Sequence, residues 1–167
     1  KRAIEKGSGE AGGAEFQTIV YEGYGPGGTA LIIDALTDNN TRTVGEVRSI
    51  FKKAGGSLGN AGTVAFMFVT KGQIFIDANK YDEDQVMGAW VIETEPTEFQ
   101  GVKDAIEAAG IEIVEAEITR IPENTVEVTG DDVRKVMNLI DTLEDNDDVQ
   151  KVYSNADFDA EELAKLG

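Results

Sequence analysis

The 167-residue chain contains no cysteine and no histidine. The first absence excludes disulfides and thiolate metal sites. The second removes the commonest general base and the commonest metal ligand. No apolar run approaches the roughly 18 residues needed to cross a bilayer, and none follows the basic residues at the start of the sequence. We therefore expect a cytoplasmic protein with no cofactor, no metal and no membrane partner.

Catalytic chemistry has little support in the residues present. A serine or threonine nucleophile would have to use a lysine or a carboxylate as its base. The acidic runs at 81–84 and 144–148 contain carboxylates, but a calcium loop needs oxygen ligands at alternating positions around a central glycine. Neither run has that pattern. We interpret both as solvated acidic surface and the chain as a non-enzyme.

Glycine is concentrated at 21–28, which reads YEGYGPGG. A phosphate-binding loop would require a lysine and a following helix, so that backbone amides and the helix dipole face the anion. Here strand-forming residues follow Gly28, and Pro26 has no amide hydrogen to donate. We interpret the segment as a tight turn whose glycines adopt positive φ.

The formal net charge of −17 is distributed unevenly. Residues 1–15 are neutral, residues 16–76 carry +1, and residues 77–167 carry −18. An acidic surface repels phosphate at long range. Any contact with nucleic acid is therefore expected before residue 77.

Hydrophobic periodicity predicts eight strands and three helices. The strands are predicted at 16–24, 29–36, 63–69, 73–76, 89–93, 111–121, 126–128 and 149–154, and the helices at 43–54, 97–109 and 131–143. The strands at 63–69 and 73–76 are expected to form a hairpin around Lys71 and Gly72. Thr97 and Gln100 have the spacing of a capping box. Residues 157–167 are interpreted as a polar, acidic tail, either one helical turn or disordered.

This order predicts an α+β fold: two α/β domains with ferredoxin-like split βαβ units and mixed or antiparallel sheets. Two assemblies fit the order. Residues 89–154 could form one continuous split βαβ domain. Alternatively, the unit at 125–154 could return to complete the sheet begun at 29–69.

The helix at 43–54 is the one local basic feature. With Val47 at the centre of the buried face and 100° per residue, the exposed arc contains Arg42, Arg48, Lys52 and Lys53. These four cations are the candidate nucleic-acid-binding residues, through contacts to phosphate. The alternative is an ordinary solvated face, with Lys52 and Lys53 near the negative end of the helix dipole.

Six segments, in order along the chain, resemble the YebC family, whose mitochondrial relative is a translational activator for a cytochrome oxidase subunit. They are RAIEKG at 2–7, YEGYGPGG at 21–28, LTDNNTRT at 36–43, GGSLG at 55–59, IPENT at 121–125 and DDVQKVYSNA at 147–156. One such segment would be weak evidence, but six in register are specific.

The resemblance implies a three-domain architecture in which a basic, helical N-terminal domain precedes Lys1 and is absent from this chain. Residues 1–15 would be the linker from it. One α/β domain would comprise 16–76 and 125–156, with a second inserted at 77–124 and an acidic tail at 157–167. This favours the assembly in which the unit at 125–154 completes the sheet begun at 29–69. The chain departs from the family at 82–90, where its segment is short and relatives have a longer helix and loop.

The resemblance implies regulation of gene expression without catalysis. The first expectation is a DNA-binding transcriptional regulator, and the alternative is a ribosome-associated translation factor. Either partner, DNA or ribosomal RNA, would be contacted mainly through the N-terminal domain. A third reading is an acidic protein-interaction module. We expect a monomer.

Overall fold

The computed structural model describes residues 15–77 and 89–166. They form two compact units: the first contains the described residues up to Met67 and those from Pro122 onward, and the second contains those between Phe68 and Ile121. The strands are β1 (Gln17–Tyr24), β2 (Ala30–Thr37), β3 (Ser57–Gly59), β4 (Phe68–Asp77), β5 (Ala89–Thr94), β6 (Glu115–Pro122), β7 (Val126–Val128), β8 (Val149–Ser154) and β9 (Ala156–Phe158). The helices are α1 (Asn40–Lys53), α2 (Phe99–Ala108), α3 (Asp131–Asp145) and α4 (Ala160–Leu166).

The first unit contains a four-stranded antiparallel sheet in the order β3-β1-β2-β8. β1 and β2 pair from Gln17 opposite Thr37 to Tyr24 opposite Ala30. β8 pairs with β2, placing Val152 opposite Ile33. The late strand therefore returns to the sheet begun near the start of the chain. The alternative of one continuous domain over 89–154 is wrong.

Helices α1 and α3 supply the core on one face of this sheet. Alternate residues of β2 point towards the helices because side chains in a strand alternate between faces. The buried cluster consists of Tyr21, Leu31, Ile33, Ala35, Val47, Phe51, Leu139, Leu143 and Val149. Gly23 lets β1 approach it closely, since a Cβ at that position would lie 2.6 Å from the Ser57 carbonyl oxygen and 2.8 Å from the Phe51 ring.

α1 begins three residues earlier than its periodicity predicts. Asn39 is the N-cap, and its side chain accepts a hydrogen bond from the Arg42 backbone N–H at 3.1 Å. This cap satisfies one of the free amides of the first turn. The helix ends at Lys53, and Gly55 adopts φ 86° just beyond it, as predicted. The turn at 25–28 is also confirmed, with Gly27 and Gly28 at φ 73° and 77°.

The hairpin predicted around Lys71 and Gly72 is wrong, because β4 runs unbroken from Phe68 to Asp77. Gly72 is a close-approach glycine rather than a turn glycine: a Cβ there would collide with the Phe99 ring of α2. The strand predicted over 63–69 is instead a loop and a short 3₁₀ turn, Ala65–Met67, leading into β4. The first stretch of the first unit ends at Met67, and the unit resumes at Pro122; the sequence placed the end of that stretch at residue 76.

The second unit places its three strands in the order β5-β4-β6 and contains α2. The capping box predicted at Thr97 is wrong, since Pro96–Glu98 forms a separate 3₁₀ turn and α2 begins at Phe99. The Gln100 amide donates to Asp104 instead, at 2.8 Å. The shortened stretch at 82–90 lies almost wholly outside the described residues.

The predicted acidic tail is ordered structure. β9 pairs in parallel with β7, and α4 follows it. Phe158 and Leu163 pack against a small buried cluster of Val128, Val133 and Val136. Three large apolar side chains among acids, Phe158, Leu163 and Leu166, were too few to predict this packing. The α+β class is confirmed, and in residues 15–77 and 89–166 no helix is long and apolar enough to span a membrane.

Candidate nucleic-acid interface

Three of the four predicted cations lie on the solvent face of α1. Val47 and Phe51 are fully buried against the sheet, which leaves Arg48, Lys52 and Lys53 exposed. Arg48 and Lys52 are four residues apart and therefore neighbours on the helix surface. No ion pair within the described parts of the chain neutralises these three side chains.

Arg42 has a different environment. Its guanidinium donates to Asp38 at 2.9 Å and to the Asp148 carboxylate at 3.0 Å. The Asp148 carboxylate is 2 % exposed and also accepts the Thr43 hydroxyl hydrogen bond at 2.7 Å. The hydrogen bonds to Asp148 and then Asp38 raise the pKa of Arg42 above its ordinary value. This network joins the start of α1 to the loop before β8, so Arg42 is engaged inside the unit.

Tyr21 lies beside this network. Its side chain is buried, and its hydroxyl has no hydrogen-bond partner among the described residues. Burial, and secondarily the Asp148 charge, raise the pKa of Tyr21 above 10.0. An ionised phenol next to a buried carboxylate would be unfavourable, so the hydroxyl stays protonated at neutral pH.

Lys53 lines a groove between α1 and α3, and sequence reasoning missed its other wall. Arg134 and Lys135 of α3 line that wall. They belong to the segment that carries −18, so the charge argument placed phosphate contacts elsewhere. One signal was available: Arg134 and Lys135 are the single adjacent pair of cations after residue 77.

Two serines occur in spacings that hydrolases use. Ser57 lies in a Gly-x-Ser-x-Gly pattern, and Ser49 stands three residues before Lys52. A nucleophile elbow places its serine on a turn from a strand into a helix. Ser57 instead follows α1 and starts β3, while Ser49 is exposed on α1.

Within residues 15–77 and 89–166, no acidic cluster is arranged to hold a metal ion.

A buried carboxylate fixes the loop on the other side of β1. Glu22 is 5 % exposed and accepts backbone N–H bonds from Gly62, Val64 and Ala65 at 2.8, 2.9 and 2.7 Å. Charge-assisted bonds of this kind are stronger than neutral ones. They hold the loop just before Phe66, which is 70 % exposed. Sequence reasoning assigned this stretch to a strand and so missed the anchor.

The fold and this surface define an α+β protein whose described part carries uncompensated cations on one helix. Comparison identifies its family directly. Residues 16–156 match the family described as TACO1/YebC second and third domain, and the chain belongs to that family.

Similar proteins support the assignment. A probable transcriptional regulatory protein of Thermoanaerobacter pseudethanolicus is 49 % identical, over 96 % of this chain and 72 % of its own length. One from Persephonella marina is 48 % identical, over 99 % of this chain and 73 % of its own. The crystal structure of a conserved hypothetical protein from Aquifex aeolicus superposes with a TM-score of 0.79 at 38 % identity, covering 92 % of this chain and 70 % of that one.

Proposed function

We propose that the chain is the α/β part of a non-enzymatic regulator of gene expression that holds the phosphate backbone of a nucleic acid against α1. The observation that carries the proposal is the uncompensated charge of Arg48, Lys52 and Lys53 in a chain of net charge −17. Such cations gain by displacing the counterions of phosphate. Arg42 is left out because its guanidinium is bound to Asp148, a carboxylate that is only 2 % exposed.

Duplex DNA is the first candidate target. Relatives at 48 and 49 % identity are named probable transcriptional regulatory proteins. Backbone contacts by α1 would position the protein without reading sequence. Sequence recognition would then belong to parts of the protein other than α1.

Ribosomal RNA is the second candidate, which makes the protein a ribosome-associated translation factor. The observation that favours it is the presence of cations on both walls of the groove between α1 and α3. A concave cationic surface suits an irregular or single-stranded RNA segment better than a regular duplex. Binding of DNA and of ribosomes at matched salt distinguishes the two targets.

The test replaces Arg48 and Lys52 together with Gln. We expect weaker binding to unrelated sequences by the same factor and a salt slope lower by roughly one to two. The free energy of unfolding should change by no more than about 0.5 kcal/mol, because both side chains are exposed. The control Lys103→Gln/Lys151→Gln removes equal charge elsewhere and should leave the slope unchanged. An unchanged slope in the α1 variant contradicts the proposal, and binding that is insensitive to salt would favour an acidic protein-interaction module.

A further inference from the structure

The groove between α1 and α3 has a charge opposite to that of the whole chain. Its volume is about 570 Å³, and the charged side chains that line it are Lys53, Arg134 and Lys135. No described acidic side chain lines it. In a protein with 32 acidic and 15 basic residues, such a groove selects for an anion.

The floor of the groove is apolar. Ile50 and Ala54 of α1 and Leu139 of α3 form it, and Asn138 and Thr142 add an amide and a hydroxyl along α3. A bare phosphate ion would gain nothing from contact with an apolar floor. A ligand that alternates a negative group with a flat, weakly polar one would use both surfaces, and a nucleotide unit has that character.

The groove is also narrow. α1 and α3 contact each other directly, and packed helices have axes about 8–10 Å apart. Helices at that spacing leave a furrow along their line of contact, and a DNA duplex, which is wider than its own major groove of about 12 Å, cannot lie inside it. One strand can, with phosphates at the cationic rim.

The end of α1 does not oppose an anion as strongly as a bare helix C-terminus would. The carbonyl oxygens of Ile50, Phe51 and Lys52 accept hydrogen bonds from the N–H groups of residues 54, 56 and 55. The C-terminal partial charge of the helix is further offset by Lys52 and Lys53 in the last turn.

We infer that this groove binds a single-stranded segment of nucleic acid, with Lys53, Arg134 and Lys135 holding its phosphates. The inference rests on the proposed contact with nucleic acid and specifies the strandedness of the partner. Asp131 is the competing anion at the site. Its carboxylate accepts from Arg134 at 3.0 Å and lies 3.8 Å from the Lys135 ammonium, so it competes with an incoming phosphate for both cations.

The experiment measures fluorescence anisotropy of a labelled ten-nucleotide poly-U RNA and of a duplex of equal length, between about 20 and 150 mM salt. Arg134→Gln/Lys135→Gln should lower the single-strand salt slope by about 1.4, at about 0.7 for each phosphate contact. Duplex binding should be unaffected. Asp131→Asn should strengthen single-strand binding, and Arg134→Lys should retain the slope. Lys103→Gln/Lys151→Gln is the matched control.

Two results would overturn the inference. One is an unchanged single-strand slope in the Arg134→Gln/Lys135→Gln protein, with melting temperature confirming that it is folded. The other is competition by polyglutamate as strong as that by unlabelled RNA, which would identify an acidic peptide as the ligand. If either result is found while Arg48→Gln/Lys52→Gln still lowers duplex binding in the same assay, the groove assignment fails and the proposed function stands.

Discussion

At the scale of single residues, one cation that the sequence grouped with three others has a different role. Arg42, Arg48, Lys52 and Lys53 all fall on the exposed arc of α1 by helical geometry. The sequence could not show that Asp148, 106 positions later, returns with β8 to bind Arg42. Helical periodicity predicts which face a side chain occupies, but not which distant partner it contacts.

Tyr21 gives a prediction for stability against pH. Its folded pKa lies above 10.0, because burial and the Asp148 charge disfavour the phenolate. The contribution of Tyr21 to the free energy of unfolding is complete below about pH 10, the ordinary tyrosine pKa, and is lost as pH rises towards the folded pKa. The free energy of unfolding, measured by urea titration, should therefore fall less steeply with rising pH above pH 10 in Tyr21→Phe than in the parent.

The same variant should not lose stability at pH 7. The Tyr21 hydroxyl is buried without a partner among the described residues, and removing an unsatisfied polar group is neutral or stabilising by about 1 kcal/mol. Tyr24→Phe, at the end of the same strand, is the control. A loss of more than about 1 kcal/mol at pH 7 would show that the hydroxyl is hydrogen-bonded in solution.

At the scale of elements, the sequence predicted five elements of the first unit closely and missed its strands β3 and β9. β1, β2, β7, β8 and α3 lie within two residues of their predicted bounds, because their apolar patterns match their final burial. Two of the errors share one cause. Gly72 and residues 63–67 were interpreted locally, whereas Phe99 of α2 and the Glu22 carboxylate decide their structure.

The loop held by Glu22 is therefore a testable element. Glu22→Gln replaces one accepting oxygen with an NH₂ group that faces backbone N–H donors, so at least one of the three bonds is lost. We expect faster amide hydrogen exchange at Gly62, Val64 and Ala65 and a destabilisation of about 1–3 kcal/mol. Glu127→Gln, at an exposed position on β7, should change neither quantity. Unaltered protection in the Glu22 variant would mean that the carboxylate does not hold the loop.

At the scale of the whole molecule, charge summed along the sequence does not describe the charge of each surface. The sum places +1 in residues 16–76 and −18 in residues 77–167. The fold nevertheless brings Arg134 and Lys135, from the acidic half, to the groove that Lys53 lines. Net charge governs long-range repulsion, whereas a binding surface depends on which side chains the topology places together.

The central claim is that nucleic acid contacts the first unit through α1 and the adjoining face of α3. The most direct measurement is backbone amide NMR of the protein titrated with RNA and with duplex DNA at low salt. We predict chemical-shift changes concentrated at 48–55 for both ligands and at 134–142 for single-stranded RNA, with the changes reversed by added salt. Shifts confined to the second unit or to the loop at 60–67, with none in α1, would contradict the account.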